Sequence, residues 1–513
     1  MKSEVINELK KIVGASRVLT DIEDLRVYSF QGPLGARSGP QPNAVVKVHS
    51  EEESHKVIEL AESERIAIVY RDKTTSQMIK GPWIMLDLTS PKDISSLRVS
   101  LQKHAQKPEV STREPSMNTF SALKIALSNQ ILHQKCRKCE LASGAACSGF
   151  CEVAPFFDWN ETWSAKGRTL LAKGLFDGGV RLTKKLVDVI FTCTTCGQCY
   201  SPCTLDARAQ LDMDRCITFA RREIVRRGML PECFKDLGIL IREQGSPIRT
   251  PLRKRARTWW FSRLDETPKQ RSGKVLYWIG CLTAYRFPNI ATATINVLRK
   301  GDADFMTLGN EEGCCGLPLY QSGLWNEAKE NAVKTARKLE ESGAKMLVTG
   351  CAGCYYAFKK VYPEIFGVKM TLEVLHVSQL MEQMISEGNL SFTKLRIKAT
   401  YHDPCDLGRH CGVYEPPRNV IRSIPDVKFI DMKLNRSHGP CCGGGGGLWT
   451  FNPDLARSIA YSHLFEEVLP LNVEAIITAC PMCYMNLKYT SRIKKVNLQV
   501  YDLAEIAEKG CPT

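Results

Sequence analysis

One arrangement of cysteines is written twice in this chain, and it constrains the fold more than any other feature. The first copy runs VLYWIGC to Cys281, then FMTLGNEEGCC with Cys314, Cys315 and a glycine, then MLVTGCAGC with Cys351 and Cys354. The second runs IKATYHDPC to Cys405, then FIDMKLNRSHGPCC with Cys441, Cys442 and five glycines, then AIITACPMC with Cys480 and Cys483. Each copy therefore reads Cys, Cys-Cys-Gly, Cys-x-x-Cys, with steps of 33 and 36 residues in the first and 36 and 38 in the second. A self-similar unit of this length is a duplicated domain.

Every cysteine group in the repeat follows a short β-branched or aromatic run, which predicts a buried parallel strand. Helical patterns lie between the groups. WNEAKENAVKTARKLEE puts Trp325, Ala328, Ala332, Ala336 and Leu339 on one face. In the second copy Asn452 stands as a cap with Pro453 at the first helical position. Alternating strands and helices predict an open α/β domain, where ligands gather at the carboxyl ends of the strands. All five cysteines of each copy converge there.

The 22 cysteines include none before Cys136. Grouped spacing of this kind is that of metal sites, and the chain reads as cytoplasmic, where thiols stay reduced. MKSEVINELKKIVGAS is an amphipathic helix pattern without a signal peptide's apolar centre, and no apolar run approaches a membrane span. A membrane is reached, on this reading, through a partner. The net charge of +15 is offset by thiolates in anionic clusters, so nucleic acid is not the expected partner. The densest basic run, RTPLRKRARTWWFSR at 249–263, reads as a solvated linker, with an acidic partner, a membrane surface or an anionic substrate as its other readings.

Upstream of the repeat, CTTCGQCYSPC supplies Cys193, Cys196, Cys199 and Cys203. This C-x₂-C-x₂-C-x₃-C spacing is the ferredoxin signature for a cubane 4Fe–4S cluster, whose fourth cysteine serves the other cluster of a pair. Zinc makes poor use of three cysteines in seven residues. The partner run CRKCELASGAACSGFC holds Cys136, Cys139, Cys147 and Cys151, with seven residues rather than two between its second and third cysteines. The swap assigns Cys136, Cys139, Cys147 and Cys203 to one cluster, and Cys193, Cys196, Cys199 and Cys151 to the other. Glu152 and Thr204 occupy the places where proline usually follows the last cysteine.

In the repeat, a vicinal disulfide between Cys441 and Cys442, a zinc site and a purely structural thiol set all compete with a polynuclear cluster. The duplicated pattern resembles the CCG-domain proteins. With the paired 4Fe–4S module before it, residues 115–505 resemble the catalytic subunit of the membrane-linked heterodisulfide reductases. They also resemble the iron–sulfur subunits of glycolate and lactate oxidases. The resemblance implies a non-cubane 4Fe–4S cluster in each repeat, held by Cys281, Cys314, Cys315, Cys351 and Cys354 and by Cys405, Cys441, Cys442, Cys480 and Cys483. It implies that a substrate disulfide sits between the two clusters and is cleaved by one electron from each. Gly443, Gly444 and Gly445, with Gly446 and Gly447 after them, then either bring bare backbone N–H groups to that gap or make a tight strand-to-helix turn. His402, Arg409 and His410 are candidates to supply a proton or hold an anionic group, beside a structural reading of each. Cys216, Cys233, Cys411 and Cys511 remain outside the ligand sets.

Residues 41–75 read strand–helix–strand and resemble the opening unit of the FAD-linked glycolate oxidases. Where that family has a glycine-rich loop for the FAD pyrophosphate, this chain has Arg71 to Gln77 with no glycine. The expectation is a truncated relic without flavin.

The expected fold is multidomain α/β and α. An α+β relic occupies 1–110, a helical ferredoxin-like two-cluster domain 111–245, a basic linker 246–272, and two open α/β CCG domains 273–392 and 393–513. The expected function is an oxidoreductase acting on sulfur groups, with two cubane and two non-cubane 4Fe–4S clusters and a small disulfide substrate. A membrane cytochrome b, a flavoprotein or a ferredoxin supplies its electrons. The alternative is an electron-transfer iron–sulfur subunit of a flavin-dependent glycolate or D-lactate dehydrogenase.

Overall fold

A computed structural model describes residues 3–15, 18–20, 44–48, 67–70, 83–88, 151–200, 213–249 and 273–512, with a few single positions between them. The chain divides into two compact units, one built from residues up to about 125 and one from the remainder.

In the first unit the helix Ser3–Val13 places Val5, Leu9 and Val13 in a small core with Val18, Ala44, Val46 and Val57. Its sheet has the order β1-β2-β4-β3, from Val18–Leu19, Ala44–Val48, Ala67–Tyr70 and Trp83–Leu88 as β1 to β4. The strands expected within 41–75 are β2 and β3. They are not neighbours, because β4 lies between them and is parallel to both. The stretch Arg71–Gln77 lies outside the described residues.

The described residues of the second unit include the helices Ala165–Asp177, Lys184–Phe191, Met213–Arg226 and Leu237–Gln244 ahead of its sheets. Two four-stranded sheets follow, parallel throughout. The first joins β5 (Val275–Trp278), β6 (Phe305–Met306), β7 (Met346–Thr349) and β8 (Glu373–His376) in the order β6-β5-β7-β8. The second joins β9 (Ile397–His402), β10 (Val427–Phe429), β11 (Ala475–Thr478) and β12 (Gln499–Asp502) in the equivalent order β10-β9-β11-β12. The chain is thus a mixed α/β protein with a helical portion before two copies of one parallel sheet.

Local chemistry explains the helices that cover these sheets. Trp325–Glu341 buries Trp325, Ala328, Ala332, Ala336 and Leu339, the five positions its periodicity selects. The helix Pro453–His463 starts where the Asn452 side chain accepts the Leu455 N–H at 3.1 Å. One element departs from its pattern: Ala357–Ile365 winds as a π-helix with Pro363 inside it. Proline has no N–H to give, so the wider turn accommodates a bond that cannot form. No described helix is long and apolar enough to cross a membrane.

Candidate metal centre

Each strand that precedes a cysteine ends at the same edge of its sheet. Cys281 opens a helix just after β5, and Cys405 follows β9. Cys351 and Cys480 follow β7 and β11 as the N-caps of helices Ala352–Tyr356 and Pro481–Ile493. Cys314 and Cys315 precede the helix Leu317–Ser322, and Cys441 and Cys442 precede Leu448–Phe451. A parallel sheet delivers all its strand ends to one side, so local pattern alone gathers five thiols per repeat.

These thiols touch in sequence. Cys281 bonds Cys314, which bonds Cys315; Cys315 meets Cys354, and Cys354 meets Cys351. In the second repeat Cys405 meets Cys441, Cys441 meets Cys442, Cys442 meets Cys483, and Cys483 meets Cys480. Two further contacts join the sets: Cys351 with Cys480 across the repeats, and Cys196 of the ferredoxin-like run with Cys441. The result is a series of interacting thiols from Cys196 to Cys281, with Cys405 branching from it at Cys441.

No disulfide forms among the described cysteines, so Cys441 and Cys442 are free thiols. Hydrogen bonds from Cys441 and Cys483 push the Cys442 thiol down to about 5, and those from Cys314 and Cys354 push Cys315 down to about 5. Their neighbours Cys483 and Cys354 are driven well above the usual range by the same bonds and by burial. A buried row of thiols cannot ionise together unless a positive charge compensates it. Backbone N–H groups supply part of that charge: Gly443 donates to Cys441 Sγ at 3.3 Å, Gly444 to Cys442 Sγ at 3.4 Å, and Gly316 to Cys314 Sγ at 3.4 Å. Soft, crowded, partly ionised sulfur is the donor set of iron–sulfur clusters, and the ten thiols fit that group.

The ferredoxin-like run forms a separate cavity. It is lined by Cys151, Cys193, Cys196 and Cys199 with Glu152, Arg168 and Thr195. The swapped assignment joins those same four cysteines. Buried Arg168, on the helix Ala165–Asp177, reaches Cys151 Sγ at 3.4 Å and ties it to Val189 O and Thr192 Oγ1. Cys136, Cys139, Cys147 and Cys203 lie outside the described residues, and so does Thr204.

The five glycines meet protein on both sides. A Cβ on Gly443 would lie 2.5 Å from Ala456 O, and one on Gly446 would lie 2.3 Å from Thr194 O. Gly443, Gly446 and Gly447 also have positive φ. The run therefore turns tightly against the helix Pro453–His463 and lets the loop of Cys193 and Cys196 press its backbone onto the second repeat.

Arg409 and His410 belong to the same junction. Arg409 Nε donates to Cys196 O at 2.7 Å and its Nη1 to Gly439 O at 2.5 Å, while His410 Nε2 lies 2.9 Å from Thr195 O. The positive charge of Arg409 acts on Cys196, Cys405 and Cys441. His402 sits at the end of β9, buried, with Nδ1 3.1 Å from His463 Nε2. Burial lowers its pKa to about 4, so the ring is neutral at pH 7.

Four residues at the site were given no role by the sequence reading. Glu152 accepts the Cys441 N–H at 3.1 Å, and burial raises its carboxyl above the usual range. Its place beside Cys151, where a proline is usual, was the available signal. Arg221 is fully buried and donates to Ile190 O, Phe191 O, Cys193 O, Gln321 O and Gly446 O. Arg418 grips Asp403 through both oxygens, at 2.6 and 2.7 Å, and so steadies the turn between His402 and Cys405. Neither arginine lies in a motif, nor does His463. Among the unassigned cysteines, Cys216 and Cys511 are buried, and burial pushes the Cys233 and Cys411 thiols up to about 12.

Two duplicated parallel sheets pooling ten thiols define a protein built around metal–sulfur chemistry. The model of the cysteine-rich domain, CCG, matches residues 275–359 and 399–488. The D subunit of the dihydromethanophenazine:CoB–CoM heterodisulfide reductase of Methanosarcina acetivorans is 33% identical over 323 residues, 62% of this chain and 76% of that protein. The B subunit of a fumarate reductase (CoM/CoB) of Methanothermobacter marburgensis is 31% identical over 300 residues, 58% of this chain and 57% of that protein. A probable iron–sulfur-binding oxidoreductase of Bacillus subtilis, FadF, is 28% identical over 384 residues, 72% of this chain and 50% of that protein. The chain belongs to the CCG-domain iron–sulfur oxidoreductases, the family that includes the heterodisulfide reductase D subunits.

Proposed function

We propose that this chain is the catalytic iron–sulfur subunit of a disulfide reductase that cleaves a thiol-coenzyme disulfide. The observation that carries the reading is the gathering of two complete five-cysteine repeats whose thiols interact, with Cys351 meeting Cys480 between the repeats and Cys196 meeting Cys441. Reducing a disulfide consumes two electrons and two protons, breaks one S–S bond and releases two thiols. When bound, iron–sulfur clusters supply those electrons singly.

The side chains divide the remaining work. Cys151, Cys193, Cys196 and Cys199 would hold a cubane cluster beside the second repeat, with Cys136, Cys139, Cys147 and Cys203 assigned to its partner. The two five-cysteine sets would hold the non-cubane clusters. Arg409 sets a fixed positive charge between the cubane loop and Cys405 and Cys441, easing negative charge onto that sulfur. Burial of Cys314, Cys315, Cys441 and Cys442 keeps water from the paired thiols. Electrons come from a partner protein: a membrane cytochrome b, a flavoprotein or a ferredoxin.

Protein purified without oxygen, given reduced dye and a thiol-coenzyme heterodisulfide, is expected to turn over with iron near four clusters' worth. Full iron without reduction of any disulfide, together with co-purification of a flavoprotein, would overturn the proposal. That result is the one expected of an electron-transfer subunit of a flavin-dependent 2-hydroxyacid dehydrogenase. The parallel β2-β4-β3 arrangement of the first unit favours this second reading.

A further inference from the structure

The cysteine loops of the two repeats meet at Cys351 and Cys480, and one buried ring stands beside both. Thr349 at the end of β7 pairs with His376 at the end of β8, and Thr478 of β11 pairs with Asp502 of β12. His376 and Asp502 are therefore counterparts. Each is buried and caps the helix that follows it, Val377–Ser386 or Leu503–Gly510. His376 Nδ1 accepts the Ser378 N–H at 3.2 Å, and Asp502 Oδ1 accepts the Ala504 N–H at 3.0 Å. Aspartate is an ordinary residue for that task and histidine is not. The imidazole of the first repeat calls for a second use.

Its far nitrogen supplies one. Burial lowers the His376 pKa to about 4, so the ring is neutral at pH 7. With Nδ1 accepting from Ser378, the proton of the neutral ring sits on Nε2. Nε2 is buried and completes no hydrogen bond of its own. The backbone carbonyls that act on it are those of Gly350 and Ala479, one from each repeat. Each stands one residue before a cysteine of the crossing. A buried donor left without a partner costs about 1–3 kcal/mol, and a donor divided between two acceptors satisfies neither in full. The Tyr355 ring meets the imidazole edge-on, with centroids 6.1 Å apart. Helix Val377–Ser386 in turn packs on Glu415–Ser423 of the second repeat, where Asn419 Nδ2 donates to Glu382 Oε1 at 2.6 Å. The shorter Asp502 makes no equivalent contact, and its Oδ2 has no hydrogen-bond partner.

We propose that His376 is a positioning residue for disulfide reduction: its Nε2–H, shared between Gly350 O and Ala479 O, holds the cysteine loops of the two repeats together where Cys351 meets Cys480. The proposal rests on the reading that a disulfide is cleaved between clusters held by the two repeats. His376 touches neither cluster nor substrate. It acts through the two carbonyls, and by fixing the loops it fixes the gap between the two thiol sets.

The test uses full-length protein purified with its clusters under anoxic conditions. The probe is the magnetic interaction between the two repeat centres, read by electron paramagnetic resonance with both centres paramagnetic. His376→Asn keeps a capping acceptor but is too short to reach both carbonyls. It is expected to retain iron, to weaken the interaction, and to lower kcat for a thiol-coenzyme heterodisulfide by as much as about 10²-fold. Gln379→Ala is the control, since it removes the other half of the capping box, the acceptor of the His376 N–H, and leaves the ring. It is expected to keep the native interaction. An unchanged interaction in His376→Asn at full iron overturns the positioning role and leaves the cluster reading intact. Equal loss in both variants also overturns it, because the helix cap alone would then set the spacing. Iron for the ferredoxin-like half alone, in the native protein, overturns both levels. Should His376→Asn fail to hold iron, His376→Gln keeps an N–H at the ring's far position. A native interaction there supports the proposal, and a weakened one overturns it.

Discussion

Gly446 has no room for even a methyl group, and its φ of 61° lies in the left-handed region. The cause is Thr194, whose carbonyl oxygen would sit 2.3 Å from the added carbon. Gly178 makes the useful comparison: its φ is 75°, yet nothing lies within 4 Å of its would-be Cβ. Gly178→Ala is expected to cost about 1–2 kcal/mol, the left-handed penalty alone. Gly446→Ala adds an overpacking cost of about 1–3 kcal/mol and pushes the loop of Cys193 and Cys196 off the second repeat. Thermal unfolding of anoxic samples is expected to rank Gly446→Ala below Gly178→Ala, and iron is expected to fall in the former only. The sequence announced that bare backbone was needed here. It could not say what comes close, because Thr194 lies about 250 residues earlier in the chain.

At the scale of elements, strands and their cysteines were the most legible part of the molecule. Short apolar runs before each cysteine group mark β5, β7, β9 and β11, and parallel pairing does the rest. Helix Trp325–Glu341 was equally plain, since its five apolar positions share one face. The π-turn at Ala357–Ile365 was not, because apolar periodicity does not report how a helix accommodates proline. The join between β8 and helix Val377–Ser386 carries a pH prediction. His376 caps this helix, accepting the Ser378 N–H at 3.2 Å, and is fully buried. Burial lowers its pKa from 6.5 to about 4. The unfolded chain binds a proton near pH 6.5 and the folded one does so only near pH 4, so acidification through that window favours unfolding. Relative to His376→Asn, which keeps a capping acceptor, the wild type is expected to lose up to about 3 kcal/mol between those values. Above pH 6.5 the difference is expected to be flat. Denaturant titrations across this range measure it.

At the scale of the whole second unit, Arg221 is the pin. One guanidinium reaches Ile190, Phe191 and Cys193 in the ferredoxin-like portion, Gln321 in the first repeat and Gly446 in the second. Arg221→Met strands those carbonyl oxygens in a buried place and is expected to cost at least about 1–3 kcal/mol, the range for leaving a buried acceptor without its donor. Hydrogen exchange is expected to rise together in the segments around Cys193, Gln321 and Gly446; a rise confined to one of them would show that the three do not open as a unit. Such a pin was invisible in the chain as written, since an arginine in a helix reads as a solvated side chain until partners from three regions surround it. The spacing of the cysteines disclosed what each repeat gathers but not how the repeats meet. The meeting of Cys351 with Cys480, and of Cys196 with Cys441, has a plain consequence. On the proposed function, electrons entering at Cys196 would meet the second repeat before the first, because Cys196 meets Cys441 and Cys480 meets Cys351. A block set at the Cys480–Cys351 crossing would strand the far copy while the near one stayed connected.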